Sequence, residues 1–215
     1  MMIPERNIPA ASYALLASGA NFSCEVLQAL QQQHYLPALL ILPEYPPAQR
    51  LSANDREILS TAPQRRMLQQ AQDTEIAYAP ASQQASCASL IERHAIDFLL
   101  VACWPYLIDS ILIDSARMGV LNMHPSLLPD FRGPNPIERQ LECKQARFGV
   151  SLHLLNQHFD QGDIVAQAEL GDLDRPPDRV YLEHRCAVLG TALFIAAVKQ
   201  HEQGWNPVRQ PVLTV

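Results

Sequence analysis

The chain has 215 residues, 48% apolar and 18% charged, which is enough apolar surface for a buried core and excludes a disordered chain. Its net charge of −6 excludes the broad basic face that a phosphate backbone requires, so nucleic acid is not the expected main partner. The five cysteines, at 24, 87, 103, 143 and 186, form no C-x-x-C pair. That pattern fits reduced thiols in a cytoplasm better than a disulfide framework, and the opening residues hold too short an apolar run for a signal peptide or a membrane span. A soluble cytoplasmic protein with no membrane partner is expected.

In chain order, "SYALLAS" (12–18) is an apolar run that reads as a buried strand, and "NFSCEVLQALQQQH" (21–34) places Phe22, Val26, Leu27 and Leu30 at helical spacing. "LPALLILP" (36–43) reads as a second buried strand, so the order is strand, helix, strand, the unit of a parallel sheet. Residues 44–73 read as a loop with one or two surface helices. "TEIAYA" (74–79) is a short strand, 82–95 a helix and "DFLLVACW" (97–104) a strongly apolar strand. A helix over 107–119 is expected to end at Gly119, followed by a fifth strand at "VLNMH" (120–124).

After the strand comes a helix over 135–146, then two strands, "GVSLHLLN" and "DIVAQAEL", joined by "QHFDQG". A long amphipathic helix over 178–204 ends the series. These elements predict a Rossmann-like α/β fold: a mainly parallel sheet with helices on both faces, a C-terminal β-hairpin and a long terminal helix, in one domain over 1–215. Ligands in such sheets bind outside the carboxyl ends of the strands.

Asn122 and His124 lie at such an end, in "VLNMHPSLLPDFRGPNP". Strand alternation puts both on one side, and Pro125 and Pro129 then force the chain out of regular pairing. Asp160, in "NQHFDQGD", is a carboxylate that could orient His124, with Gly162 permitting a tight turn. An amide, an imidazole and a carboxylate suit attack on a carbonyl through an oxyanion, with donors aimed at the developing charge. His124, His153 and His158 match no common zinc spacing, so no metal is expected. The first strand is followed by no G-x-G-x-x-G, which disfavours a dinucleotide oxidoreductase.

The stretch Asn-x-His-x-Ser-Leu-Leu-Pro-x-x-Arg-Gly over 122–133, with Asp160 and Gly162 after it, resembles the 10-formyltetrahydrofolate-dependent formyltransferases. That family includes the methionyl-tRNA, glycinamide ribonucleotide and sugar-nucleotide enzymes. Eight fixed positions match by chance at roughly 10⁻¹⁰ per start point.

The resemblance implies that Asn122 and His124 polarise the formyl oxygen while Asp160 assists proton movement. It implies a folate pocket walled by Trp104, Tyr106, Leu107 and Ile108, by Ser126, Leu127, Leu128 and Pro129, and by Asn156, Gln157, His158 and Phe159. Acceptor contacts would come from Gly19, Asn21, Arg132 and Gly133. The implied co-substrate is 10-formyltetrahydrofolate and the implied acceptor a small-molecule amine, a sugar nucleotide or a ribonucleotide amine, with a homodimer left open.

Two departures bear on the acceptor. "ASGANFS" has a single Gly19 where the glycinamide ribonucleotide enzymes carry a Gly-rich loop, and no additional C-terminal domain of the tRNA enzymes is expected after "NPVRQPVLTV". A formyltetrahydrofolate hydrolase, a methionyl-tRNA formyltransferase-like domain without its C-terminal domain, and a non-catalytic folate binder are the alternatives.

Overall fold

The computed structural model describes residues 11–43, 62–71, 74–79, 84–143 and 147–211. The loop expected at the start of 44–73 lies outside them up to residue 61.

Three runs, β1 (Tyr13–Ala17), β2 (Leu39–Pro43) and β4 (Phe98–Ala102), are buried at every position. A strand covered on both faces can be apolar throughout, which is why these segments show no alternation. With β3 (Glu75–Ala79), β5 (Gly119–His124), β6 (Gly149–Leu154) and β7 (Ile164–Glu169), they form one seven-stranded sheet of order β3-β2-β1-β4-β5-β6-β7. The first five strands are parallel, while β6 pairs antiparallel with β5, and β7 antiparallel with β6. The predicted fold class, C-terminal hairpin included, is the observed one.

Successive strand residues feed opposite cores. Leu15, Leu100, Leu121 and Leu152 pack toward α1 (Asn21–Gln32) and the long terminal helix. Leu16, Leu99, Val101 and Val120 pack on the other face, with Cys87, Ala88 and Ile91 of the helix Gln84–Arg93. Among the described residues the other α-helices, in chain order, are α2 (Ala62–Gln70), α3 (Gln84–Arg93), α4 (Ser110–Ser115), α5 (Pro136–Glu142) and α6 (Arg179–Gln200).

Two expectations need correction. The helix α2 is not merely superficial, because Met67 and Gln64 are buried and Met67 joins the core under α1. The helix expected to run to Gly119 ends at Ser115: Asp109 caps its start through Leu112 N, and Ala116 already has extended backbone. Gly119, at φ +136°, instead opens β5.

α6 buries a broad stripe that includes Leu182, Cys186, Gly190 and Phe194. The helical stretch Arg179–Gln203 is long and apolar enough to cross a membrane (mean hydropathy 1.3 over its most apolar part), but half of that part is buried inside the protein, as a core helix would be.

Candidate active site

β5 carries Asn122 and His124 to its carboxyl end, and antiparallel β6 sets His153 opposite Asn122 and Ser151 opposite His124. Asp160 comes from the β6–β7 connection with a left-handed φ of +52°. His124, His153 and Asp160 are 5%, 0% and 8% exposed, so their polar atoms need partners inside the protein.

Those partners are Asn122, one another and nearby backbone groups. Asn122 Nδ2 donates to Asp160 Oδ1 at 3.0 Å and faces His153 Nε2 at 3.0 Å. His153 Nδ1 lies 2.8 Å from the Leu154 carbonyl, which can only accept. That nitrogen therefore carries the proton, and Nε2 is left to accept from Asn122. The opposite amide orientation would press the Asn122 oxygen against a carboxylate, so both Asn122 amide protons are engaged within the protein.

His124 Nε2 is 3.0 Å from the Phe131 carbonyl and donates to it, which leaves Nδ1 facing Asp160 Oδ1 at 3.5 Å. Burial pulls this imidazole below its ordinary range, against the opposing pull of the Asp160 carboxylate. A proton arriving at Nδ1 meets a fixed counter-charge. Burial also pushes the Asp160 carboxyl up, but a proton carried by the facing His153 and His124 rings, together with the Gly133 N–H, outweighs it and holds it at about 2. Gly133 N donates to Asp160 Oδ2 at 2.8 Å. The arrangement sets a buried carboxylate against an imidazole nitrogen on one side and an amide donor on the other.

These groups floor a cavity of about 540 Å³, a size ordinary for small-molecule sites. Its apolar walls include Val101, Trp104, Leu107, Ile108, Leu155 and Phe159, with Trp104 and Tyr106 edge to face at 5.8 Å and 78°. Of the expected folate contacts, Trp104, Tyr106, Leu107, Ile108, Asn156, His158 and Phe159 line this cavity. Ser126, Leu127, Leu128, Pro129 and Gln157 do not. Ser126 and Leu128 are buried in the protein, where Ser126 Oγ donates to the Asp130 carbonyl and Leu128 N to Ser151 Oγ.

Of the expected acceptor contacts, only Gly133 lies on the wall. Asn21 is bonded to Glu183 and to Arg66, and Gly19 packs against the backbone of Gln64. The Arg132 guanidinium turns away and donates to Gln210 Oε1 at 3.0 and 2.7 Å. Gly162 also acts otherwise than expected. Asp160 itself takes the left-handed turn, while a Cβ at Gly162 would stand 1.7 Å from the Leu154 carbonyl.

Sequence reasoning weighed His153 only as a zinc ligand and did not place Cys103 or Asn135 at the site. Cys103 and Asn135 are wall residues with left-handed φ of +58° and +52°. His153 becomes visible only once the β5–β6 register sets it against Asn122.

Residues 13–198 match the family model described as formyl transferase. The chain belongs to the formyl transferase family. Members of that family are transferases that use 10-formyltetrahydrofolate as formyl donor, as the resemblance at 122–133 and 160–162 implied.

A methionyl-tRNA formyltransferase of Syntrophus aciditrophicus is 32% identical over 123 residues, 55% of this chain and 38% of that protein. One from Bordetella pertussis is 30% identical over 127 residues, 59% of this chain and 41% of that protein. The chain thus spans about two-fifths of the length of the curated relatives it matches.

Glycinamide ribonucleotide transformylase 1 of Symbiobacterium toebii superposes with a TM-score of 0.66 at 18% identity, over 98% of each chain. Phosphoribosylglycinamide formyltransferase of Bacillus halodurans gives 0.64 at 20% identity, over 88% of this chain and 94% of that one. At such identities the likeness establishes a shared fold.

Proposed function

We propose that this formyl transferase family member moves a formyl group from 10-formyltetrahydrofolate to the primary amine of a small-molecule acceptor, within one catalytic domain. The observation that carries this reading is the contact of Asn122, His124 and Asp160 at the floor of an apolar cavity.

The acceptor nitrogen attacks the formyl carbon, a C–N bond forms, and the carbonyl becomes an oxyanion. Asn122 answers that charge by moving one amide proton from His153 Nε2 to the new oxygen, a donor role worth about 10²-fold in rate. His124 Nδ1 takes the proton released by the attacking amine, with Asp160 stabilising the imidazolium, and returns it to N10 of the folate as the old C–N bond breaks. Acid–base help of this kind is worth on the order of 10² to 10⁴.

A small acceptor is favoured by the net charge of −6, which offers no broad basic face to a nucleic-acid backbone. The names of the curated relatives favour a second reading, transfer to methionyl-tRNA.

The test is tetrahydrofolate release from 10-formyltetrahydrofolate, followed by absorbance, with a panel of primary amines and with methionyl-tRNA. Release that depends on one small amine supports the proposal and names the acceptor. Release only with methionyl-tRNA selects the second reading. Amine-independent release of formate would make the chain a hydrolase, and bound folate with no release under any condition would make it a binder.

A further inference from the structure

Gln210 stands beyond the residues that match the family model, yet it is 6% exposed and touches both loops that build the site. The chain reaches it through an isolated bridge in which Ile164 and Val208 exchange backbone hydrogen bonds of 2.9 and 2.8 Å. The side-chain amide of Gln210 is then used at both ends. Its Nε2 donates to the carbonyls of Asp160 at 3.1 Å and Gly162 at 2.6 Å, and its Oε1 accepts from Arg132 Nε and an Arg132 terminal nitrogen.

One loop, 131–133, supplies the Phe131 carbonyl that orients His124 and the Gly133 N–H that binds Asp160. The other, 160–162, supplies Asp160 itself. Phe131 and Asp160 both hold a left-handed φ, +58° and +52°, that side-chain-bearing residues rarely adopt. Such residues persist where their surroundings over-determine them. Gln210 is the side chain that grips the neighbour of the first and the carbonyl of the second.

We propose that Gln210 is a positioning residue for the active site: by tying loop 131–133 to loop 160–162 it sets the placement of Asp160 against His124. This rests on the formyl-transfer reading above. The role needs an amide in particular. A glutamate would keep the acceptor for Arg132 and lose both donors, and a methionine of similar shape would lose all four bonds.

The experiment compares Gln210→Met and Gln210→Glu with wild type by steady-state kinetics. In parallel, NMR follows the His124 Nε2–H proton that bonds the Phe131 carbonyl. Gln210→Met is expected to lower kcat about 10²-fold, the scale of a small misplacement of reacting groups, with KM for 10-formyltetrahydrofolate changed less than about twofold. Its His124 Nε2–H signal is expected to shift or broaden. Gln210→Glu, which keeps the Arg132 contact, is expected to lose about tenfold, and carries the test alone if Gln210→Met does not fold.

A folded Gln210→Met with kcat near wild type and an unmoved His124 signal overturns the proposal. So does a loss of rate that merely tracks the unfolded fraction by circular dichroism, or a failure of both variants to fold. If wild type transfers no formyl group while its His124 signal still responds to Gln210→Met, the formyl-transfer reading fails and the positioning role stands.

Discussion

Asn122 and His124 sit two residues apart on one strand, but their environments set them different tasks. His124 is pulled below its ordinary range by burial and faces a carboxylate, so in the proposed transfer its part is to gain and lose a proton. Asn122 has both amide protons held by Asp160 and His153, so in the proposed transfer its part is to release one when a charge develops nearby. The two should therefore respond differently to truncation. Asn122→Ala is expected to lower kcat by about 10² with donor affinity little changed, whereas His124→Ala should lower it by 10² to 10⁴, on the order expected for lost acid–base help. Single-turnover kinetics beside a folate-binding titration separates rate from affinity. An Asn122→Ala protein that only binds folate more weakly would remove the amide from the oxyanion.

The β6–β7 hairpin holds Asp160 in place by close approach of its own backbone. Gly162 stands so near Leu154 that a Cβ would lie 1.7 Å from that residue's carbonyl oxygen, a backbone atom that cannot rotate away. Gly162→Ala must therefore move the turn. Overpacking against a backbone atom predicts a loss of about 3 kcal/mol, read from urea unfolding, together with loss of turnover as Asp160 leaves Asn122. A variant as stable and active as wild type would show that the hairpin adapts. By contrast, the exposed Arg147–Glu169 pair at the sheet edge joins two solvated groups, and removing it should change little.

Across the whole molecule, the buried site links folding to pH. The Asp160 carboxyl is held at about 2 against an ordinary value of 3.8. A depressed carboxyl contributes stability that is fully present above the unfolded value and is lost as pH falls through the folded one. The window is therefore from about pH 4 to pH 2, and the shift corresponds to about 2 kcal/mol. His124, also depressed, acts in the same direction but begins higher, as pH falls below the ordinary histidine range. Urea midpoints measured from pH 7 down to pH 2 should fall for wild type, and Asp160→Asn should flatten the last part of that fall. An equal slope in both proteins would place the acid sensitivity elsewhere.

Much of this was legible in the chain alone. Fully apolar runs such as Tyr13–Ala17 and Phe98–Ala102 announce strands covered on both faces, and period-two spacing puts Asn122 and His124 on one side, because both are properties of the local backbone. The spacing from Asn122 to Gly133 and on to Asp160 marked the family. What only the tertiary structure decided is which side chains meet across large gaps in sequence. The antiparallel register of β5 and β6 brings His153 to Asn122, and the chain after α6 folds back to set Gln210 beside Asp160. The same packing turns Arg132 and Asn21 away from the cavity toward Gln210 and Glu183. A local pattern encodes the direction of a side chain from its own strand, but its partner is chosen by the packing of elements far apart in the chain.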